Sequence, residues 1–341
     1  MTVRVGIVGS GFMGRTWAEV AANHATGTSL SAVTGGRRAA ALASDMGVPL
    51  EPSLETLLAR DDVDAVVLAT PPAGHLPQTL QAAAAGKHLL VEKPMAQSSS
   101  ECAEMVAASR ATGVRLSVVS QHRFRDAPAA AKRLIDEGAI GEVRMIQLTG
   151  AEVGWWDLAA RGDTWKLDPF QQTAWASWGA HSCDLLRWFS GADGELAFAR
   201  ITNFSGEPPD VGQSAVITYE MTSGVLAQIL MSYEFPPPGL SPSWPWRIVG
   251  SKGIIELDPY SIVRLGRGDG WEVVAEQAPF DPMDATDPIR LRAYARQLED
   301  LVAAIVDGHD PLVSGEEGRS TTAMLDAAER SAASGTSAAV A

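Results

Sequence analysis

The sequence is short of cysteine, of positive charge and of long apolar runs, and each shortage removes a class of protein. Only two cysteines occur in 341 residues, Cys102 and Cys183. Each falls in a helical pattern rather than a C-x-x-C spacing, which argues against a disulfide framework or a zinc site. Lys and Arg number 27 against 41 Asp and Glu, a formal net charge of −14. Nucleic acid and anionic membrane both demand a basic surface, so neither is expected as a partner. No run of ~18 uninterrupted apolar residues, enough to span a bilayer, is present. The first strand begins at Val3 without a basic, apolar, cleavable leader. A cytoplasmic protein with no membrane partner is expected. Its length predicts two domains, since single cores stop growing at ~250–300 residues.

What is present begins at the head of the chain. Val3 to Val8 is an alternating apolar run, and Gly9-Ser10-Gly11-Phe12-Met13-Gly14 follows it at the spacing G-x-G-x-x-G, leading into a helical pattern. In that order, Gly9 permits a tight turn, Gly11 lets the backbone approach a pyrophosphate, and Gly14 lets the helix lie close to the strand. The helix start adds unpaired N–H groups and the positive end of a dipole. About 20 residues further on, an NAD-type site places a carboxylate on the adenosine ribose. Here the chain reads Thr34-Gly35-Gly36-Arg37-Arg38, with no acid between Glu19 and Asp45. Two arginines suit a 2′-phosphate by charge and bidentate geometry, so NADP is favoured over NAD.

Strands and helices then alternate. Arg37 to Met46 reads as a helix, Ser53 as the cap of a short one through Leu58, and Ala65 to Ala69 as a strand buried on both faces. Thr70-Pro71-Pro72-Ala73-Gly74-His75 turns the chain at the carboxyl edge of the sheet, where open α/β folds bind ligands. A helix over 76–85, the strand His88 to Val91, Glu92-Lys93-Pro94, a helix over Ser99 to Thr112 and the strand Val114 to Val119 complete six alternations. A doubly wound parallel sheet is predicted. After a helix over Pro128 to Glu137, strands dominate at about 143–152, 196–204, 213–221, 224–232, 246–257 and 260–265. Helices at about 288–306 and 316–332 follow, with fraying expected from Ser331. The fold class read from this is α/β: a Rossmann domain over 1–122, and a substrate-binding and oligomerisation α+β domain over 123–341 built on a largely antiparallel open sheet.

The motifs Gly9-Ser10-Gly11-Phe12-Met13-Gly14, Thr70-Pro71-Pro72 with His75, Glu92-Lys93-Pro94 and Gln121-His122-Arg123-Phe124 together resemble the glucose–fructose oxidoreductase, inositol dehydrogenase and MocA family, over nearly the whole chain. The resemblance implies an NAD(P)-dependent oxidoreductase of sugars or cyclitols with the lysine of the E-K-P tripeptide at the catalytic centre. It also implies a homo-oligomer, a dimer or tetramer, assembled through the outer face of the C-terminal sheet. Residue chemistry agrees on Lys93: an ammonium just past a strand's carboxyl end can bond the reacting oxygen as hydride leaves carbon. The glycines with Phe12, Met13, Arg37, Arg38, Thr70, Pro71, Pro72, His75, Glu92 and Lys93 are thus the expected cofactor site.

Substrate contacts are expected from Lys93, Arg123, Trp155, Trp165, Asp168, Ser177 and His181. Six of the ten tryptophans lie in 155–188, a segment without clear periodicity that reads as a binding loop. Within it, Ser177 to Asp184 resembles the family's D-x-G-x-H-x-x-D motif at Gly179, His181 and Asp184, and departs from it at Ser177, where dehydrogenases of the family carry aspartate. His181 is the expected base or acid. Serine can orient an imidazole but supplies no charge to its protonated form; Asp184, three residues along on the same helix side, is one substitute, and the alternatives are that Lys93 carries more of the proton transfer or that the enzyme runs better as a ketone reductase. Two other activities are compatible with these motifs. One is a redox-neutral enzyme with retained NAD(P) that cleaves a glycosidic bond through transient ring oxidation. The other is a non-catalytic dinucleotide sensor, which the retention of Lys93 and His181 argues against.

Overall fold

In a computed structural model, the structure describes residues 1–151, 174–204, 212–236, 238–240, 244–268 and 270–341. The first part of the chain alternates as expected: β1 (Val3–Val8), α1 (Phe12–Glu19, continued by a π-helical turn Val20–His24), β2 (Thr28–Thr34), α2 (Ala39–Met46), β3 (Leu50–Glu51), α3 (Leu54–Leu58), β4 (Ala65–Leu68), α4 (His75–Ala84), β5 (His88–Val91), α5 (Ser99–Thr112) and β6 (Leu116–Val118). The six strands are parallel in the order β3-β2-β1-β4-β5-β6. Every residue of β4 is buried, because the strand feeds two cores. Ala65 and Val67 pack with Val3, Val5, Ile7 and Trp17 on one side, while Val66 and Leu68 join Leu57, Leu89 and Met105 on the other. The two-residue β3 is a strand that the sequence pattern does not foretell.

The chain continues through α6 (Asp126–Asp136), β7 (Val143–Ala151), α7 (Ala174–Ser190), β8 (Gly194–Thr202), β9 (Ser214–Met221), β10 (Leu226–Ser232), β11 (Trp246–Gly250), β12 (Ile254–Asp258), β13 (Ile262–Arg267), β14 (Gly270–Glu276), α8 (Pro288–Asp307), α9 (Gly315–Ser334) and β15 (Ala338–Ala339). The second sheet has the order β14-β13-β12-β11-β7-β10-β9-β8-β15, antiparallel except for the parallel pair β7 and β10. Alternation along β9 turns Ala215, Ile217, Tyr219 and Met221 onto Cys183, Leu186 and Phe189 of α7 and Met324 and Ala328 of α9. Both cysteines are buried, and neither is in a disulfide among the described residues.

Two compact units result, residues Met1–Phe124 with Phe280–Arg319 and residues Arg125–Pro279 with Ser320–Ala341. The single boundary between 122 and 123 does not foresee the return of 280–319 to the first unit. That return has a plain cause in α8, where Leu291, Tyr294, Leu298 and Leu301 recur at helical spacing and all are buried against the β1 side of the first sheet.

Four local expectations change. The stretch 246–257 is two strands joined by a reversal at Gly250 to Gly253, not one. β14 was not anticipated; four of its first residues are exposed, which leaves little apolar signal. The segment 155–188, expected as a binding loop, includes α7 from Ala174, so the Ser177-to-Asp184 motif is helical. The end of the chain is held rather than frayed: Ser331 is fully buried and accepts the Ala199 N–H at 2.9 Å, and Ala338 pairs with Ala197 in the sheet.

Candidate active site

Strand order places the carboxyl ends of β1, β4 and β5 side by side, and the three loops that leave them build the site of the first unit. Gly9, at φ +112°, has no room for a side chain: a Cβ would stand 2.4 Å from the Ala69 carbonyl oxygen. A Cβ on Gly14 would stand 2.1 Å from the Gly9 carbonyl oxygen, so the helix lies directly on the turn. Gly11 is different, with nothing within 4 Å of the Cβ position. It is the N-cap of α1, without a side-chain cap and with no acid in the first turn. An open glycine facing uncapped N–H groups fits a dinucleotide pyrophosphate.

The loop after β2 docks against this turn. The Arg38 N–H donates to Ser10 Oγ at 3.1 Å, and a Cβ on Gly36 would meet the same oxygen. Arg37 and Arg38 are exposed, and their guanidinium groups have no partner among the described residues.

His75 and Glu92 are both buried within the first unit. The His75 ring is fully buried, with Nε2 2.8 Å from the Thr70 carbonyl and Nδ1 3.2 and 3.1 Å from those of Pro94 and Met95. It therefore clamps the Thr70-Pro71-Pro72 loop to the Glu92-Lys93-Pro94 loop, and burial pushes its pKa down despite the carbonyls. Pro71 is exposed and Pro72 buried, and Thr70 Oγ1 donates to Gln78. Glu92 accepts the indole N–H of Trp17 at 2.8 Å and the backbone N–H of Lys93 at 3.1 Å. Burial raises its pKa, and the charge of Lys93 works against that rise. Of these two expected cofactor contacts, His75 joins the loops on either side of Lys93 and Glu92 accepts the Lys93 N–H, while Lys93 itself is part-buried. Trp17 reads in sequence only as an apolar helix residue, and nothing there marks its bond to Glu92.

Arg123, expected to meet substrate, is 4% exposed and bonded to Glu317 at 2.7 Å within the same unit. A charge 194 positions away cannot be paired from sequence.

In the second unit His181 lies on α7, 7% exposed, with Asp184 buried one turn further. Trp178, one turn earlier, meets its ring edge-on at a centroid distance of 6.0 Å, and Trp244 does so at 6.5 Å. The two indoles also pack on each other at 5.1 Å. Trp244 stands outside the tryptophan-rich segment and was missed. Ser177 falls on α7, four positions before His181, and its side chain lies outside the described residues, as do Trp155, Trp165 and Asp168.

Comparison with known proteins finds matches to both parts of the chain. Residues 3–120 match a family model described as "Oxidoreductase family, NAD-binding Rossmann fold", and residues 129–256 match the "GFO/IDH/MocA C-terminal domain". Inositol 2-dehydrogenase 2 of Saccharopolyspora erythraea is 28% identical over 100% of this chain and 96% of its own. A dTDP-3,4-didehydro-2,6-dideoxy-alpha-D-glucose 3-reductase of Streptomyces violaceoruber is 30% identical over 69% of this chain and 68% of its own. The crystal structure of GenD2 from gentamicin A biosynthesis, in complex with NAD, superposes with a TM-score of 0.82 at 26% identity, covering 100% of this chain and 97% of that one.

Two outcomes test the geometry. Gly11→Val should melt like the parent yet lose dinucleotide binding, whereas Gly14→Val should lower the melting temperature, since only the second glycine faces backbone. Melting curves with and without NAD would decide; a Gly11→Val protein still shifted upward by NAD rules the loop out. The second outcome concerns His75. Its folded pKa lies below the ordinary 6.5, so the unfolded chain takes up the proton first. Stability from this group is complete above pH 6.5 and is lost as pH falls below it. Melting of parent and His75→Gln from pH 7.5 to 5 should therefore converge on acidification, the contribution of half-buried His88 being common to both. A gap between them that does not change with pH would refute the assignment.

Proposed function

The chain belongs to the glucose–fructose oxidoreductase, inositol dehydrogenase and MocA family, and on that footing we propose that it transfers a hydride between the nicotinamide and a hydroxyl or ketone carbon of a sugar, sugar derivative or cyclitol. The observation that carries the reading is the open Gly11 cradle on the same sheet edge as the clamped Glu92-Lys93-Pro94 loop. The names of the relatives, an inositol dehydrogenase and a deoxysugar reductase, supply the substrate class.

When bound, the dinucleotide supplies the hydride acceptor or donor at its nicotinamide. The chain's part is to hold charge and move a proton. Lys93 donates a hydrogen bond to the reacting oxygen and stabilises the negative charge that develops there. His181 takes the hydroxyl proton in oxidation and returns it in reduction, its ring held between Trp178 and Trp244. NADP is the favoured cofactor, because two exposed, unpaired guanidinium groups stand at the head of α2 beside Ser10. The partner is a second copy of the chain: Met145, Phe198, Val216, Leu226 and Leu230 form an exposed apolar face on β7 to β10, which assembly would cover.

A panel of sugars and inositols with NAD and NADP, followed by absorbance, tests the activity, and turnover of none would refute it. Lys93→Met should lower kcat steeply with cofactor affinity little changed; near-normal turnover would remove Lys93 from the chemistry. Changing Arg37 and Arg38 to Ala should cost NADP about 1–3 kcal/mol more than NAD, and equal losses would return the arginines to solvent. Light scattering should show a dimer or tetramer that Leu230→Glu dissociates, and a monomeric parent would contradict the sheet-face contact.

A further inference from the structure

The first unit buries a cation that the chemistry above does not use. Arg290, in the first turn of α8, is 2% exposed. Its guanidinium lies between two aromatic rings, 4.7 Å from the Phe12 centroid and 4.8 Å from that of Tyr294. Its hydrogen-bond partners are all neutral: Thr16 Oγ1 at 3.1 Å, the Pro282 carbonyl at 3.1 Å and Met13 Sδ at 3.9 Å. Among the described residues no carboxylate stands at ion-pair distance from it. Glu92, Asp284 and Asp287 act on its charge only from beyond contact distance, and a buried charge without a counter-ion in contact is costly unless something further opposes it. Its aromatic and hydrogen-bond contacts include three residues of α1, Phe12, Met13 and Thr16, and the first two directly follow the open Gly11. A bound dinucleotide places two phosphate charges at that turn.

We infer that Arg290 is a cofactor-positioning residue: it provides a fixed positive charge behind the glycine turn and holds Phe12 and Met13 in place, so that the pyrophosphate is its counter-ion when the cofactor is bound. The inference rests on the dinucleotide reading of the loop. It reaches further than that reading, since the residue comes from the far end of the chain and acts through the field and through α1 rather than by touching phosphate. The arrangement continues from Tyr294, which packs edge-on against Trp17 at 5.2 Å, to Glu92 and the backbone of Lys93. One side chain therefore supports both the cofactor turn and the lysine loop.

The test separates charge from packing. Binding of NAD and ADP-ribose is measured by calorimetry, and of adenosine, which carries no phosphate, by ligand-observed NMR, for the parent, Arg290→Met and Arg290→Lys. Arg290→Met should weaken NAD and ADP-ribose about tenfold, the scale of one charge acting at several ångströms through protein, with adenosine changed less than about twofold. Arg290→Lys, which keeps the charge and loses the planar stack, should recover most of the loss. Equal weakening of adenosine and ADP-ribose would make Arg290 a packing residue only, and unchanged NAD affinity in Arg290→Met would overturn the inference outright. Should Arg290→Met fail to fold, a folded Arg290→Lys that binds NAD as poorly as about tenfold below the parent overturns it as well. A parent that binds none of the three refutes the dinucleotide reading itself, a different result from a parent that binds and a variant that matches it.

Discussion

The burial of one apolar stripe of α8 against the β1 face of the parallel sheet is the interaction on which the cofactor unit depends. Leu291, Tyr294, Leu298 and Leu301 meet Val3, Val5, Ile7 and Trp17 there. At ~1.5–3 kcal/mol for each large apolar side chain removed from water, the contact is comparable to the net stability of a whole domain. It also brings polar side chains with it. Gln297, fully buried, accepts the Ser120 N–H at 3.1 Å and donates to the Val118 carbonyl at 2.8 Å, closing the end of β6. Arg290 and Tyr294 come in on the same helix, Arg290 reaching the first turn of α1 and Tyr294 packing on Trp17.

Around that contact the candidate site residues divide by burial. Gly11, Arg37, Arg38 and Lys93 keep some exposure, whereas His75, Glu92, Trp17 and Arg123 are withdrawn and bonded to neighbours. Loops that must present backbone N–H groups and an ammonium at fixed positions cannot rely on their own short sequences. Three carbonyls around one imidazole and two donors on one carboxylate supply the rigidity that a turn of two prolines does not.

How much of this was legible follows from the range of each interaction. The glycine loop, the buried β4 and the Thr70 and Glu92 loops are written in consecutive residues, so motif and periodicity reveal them. β3 is two residues long with Leu50 exposed, and β14 is largely exposed, so neither carries a pattern. The start of α7 was obscured by tryptophans that read as a binding surface before they read as a helix. The bonds Trp17 to Glu92 and Arg123 to Glu317, and the stacking of Arg290 on Phe12, join residues separated by 75, 194 and 278 positions. Such pairs depend on tertiary placement, and local sequence holds no trace of them. Resemblance to the family singled out the E-K-P loop, and the structure adds the bonds of its glutamate to Trp17 and to the Lys93 backbone.

The return of residues 280–319 to the first unit has a consequence for how the protein is made. Synthesis proceeds from the N-terminus at ~5–20 residues per second, so roughly ten to thirty seconds separate the emergence of Phe124 from that of Phe280. Throughout that interval the core on the β1 side of the parallel sheet, lined by α1 and α2, lacks the apolar stripe of α8. The nascent chain therefore carries an apolar surface that residues 280–319 complete, and a ribosome stalled in the second unit would leave it open to chaperones or to other nascent chains.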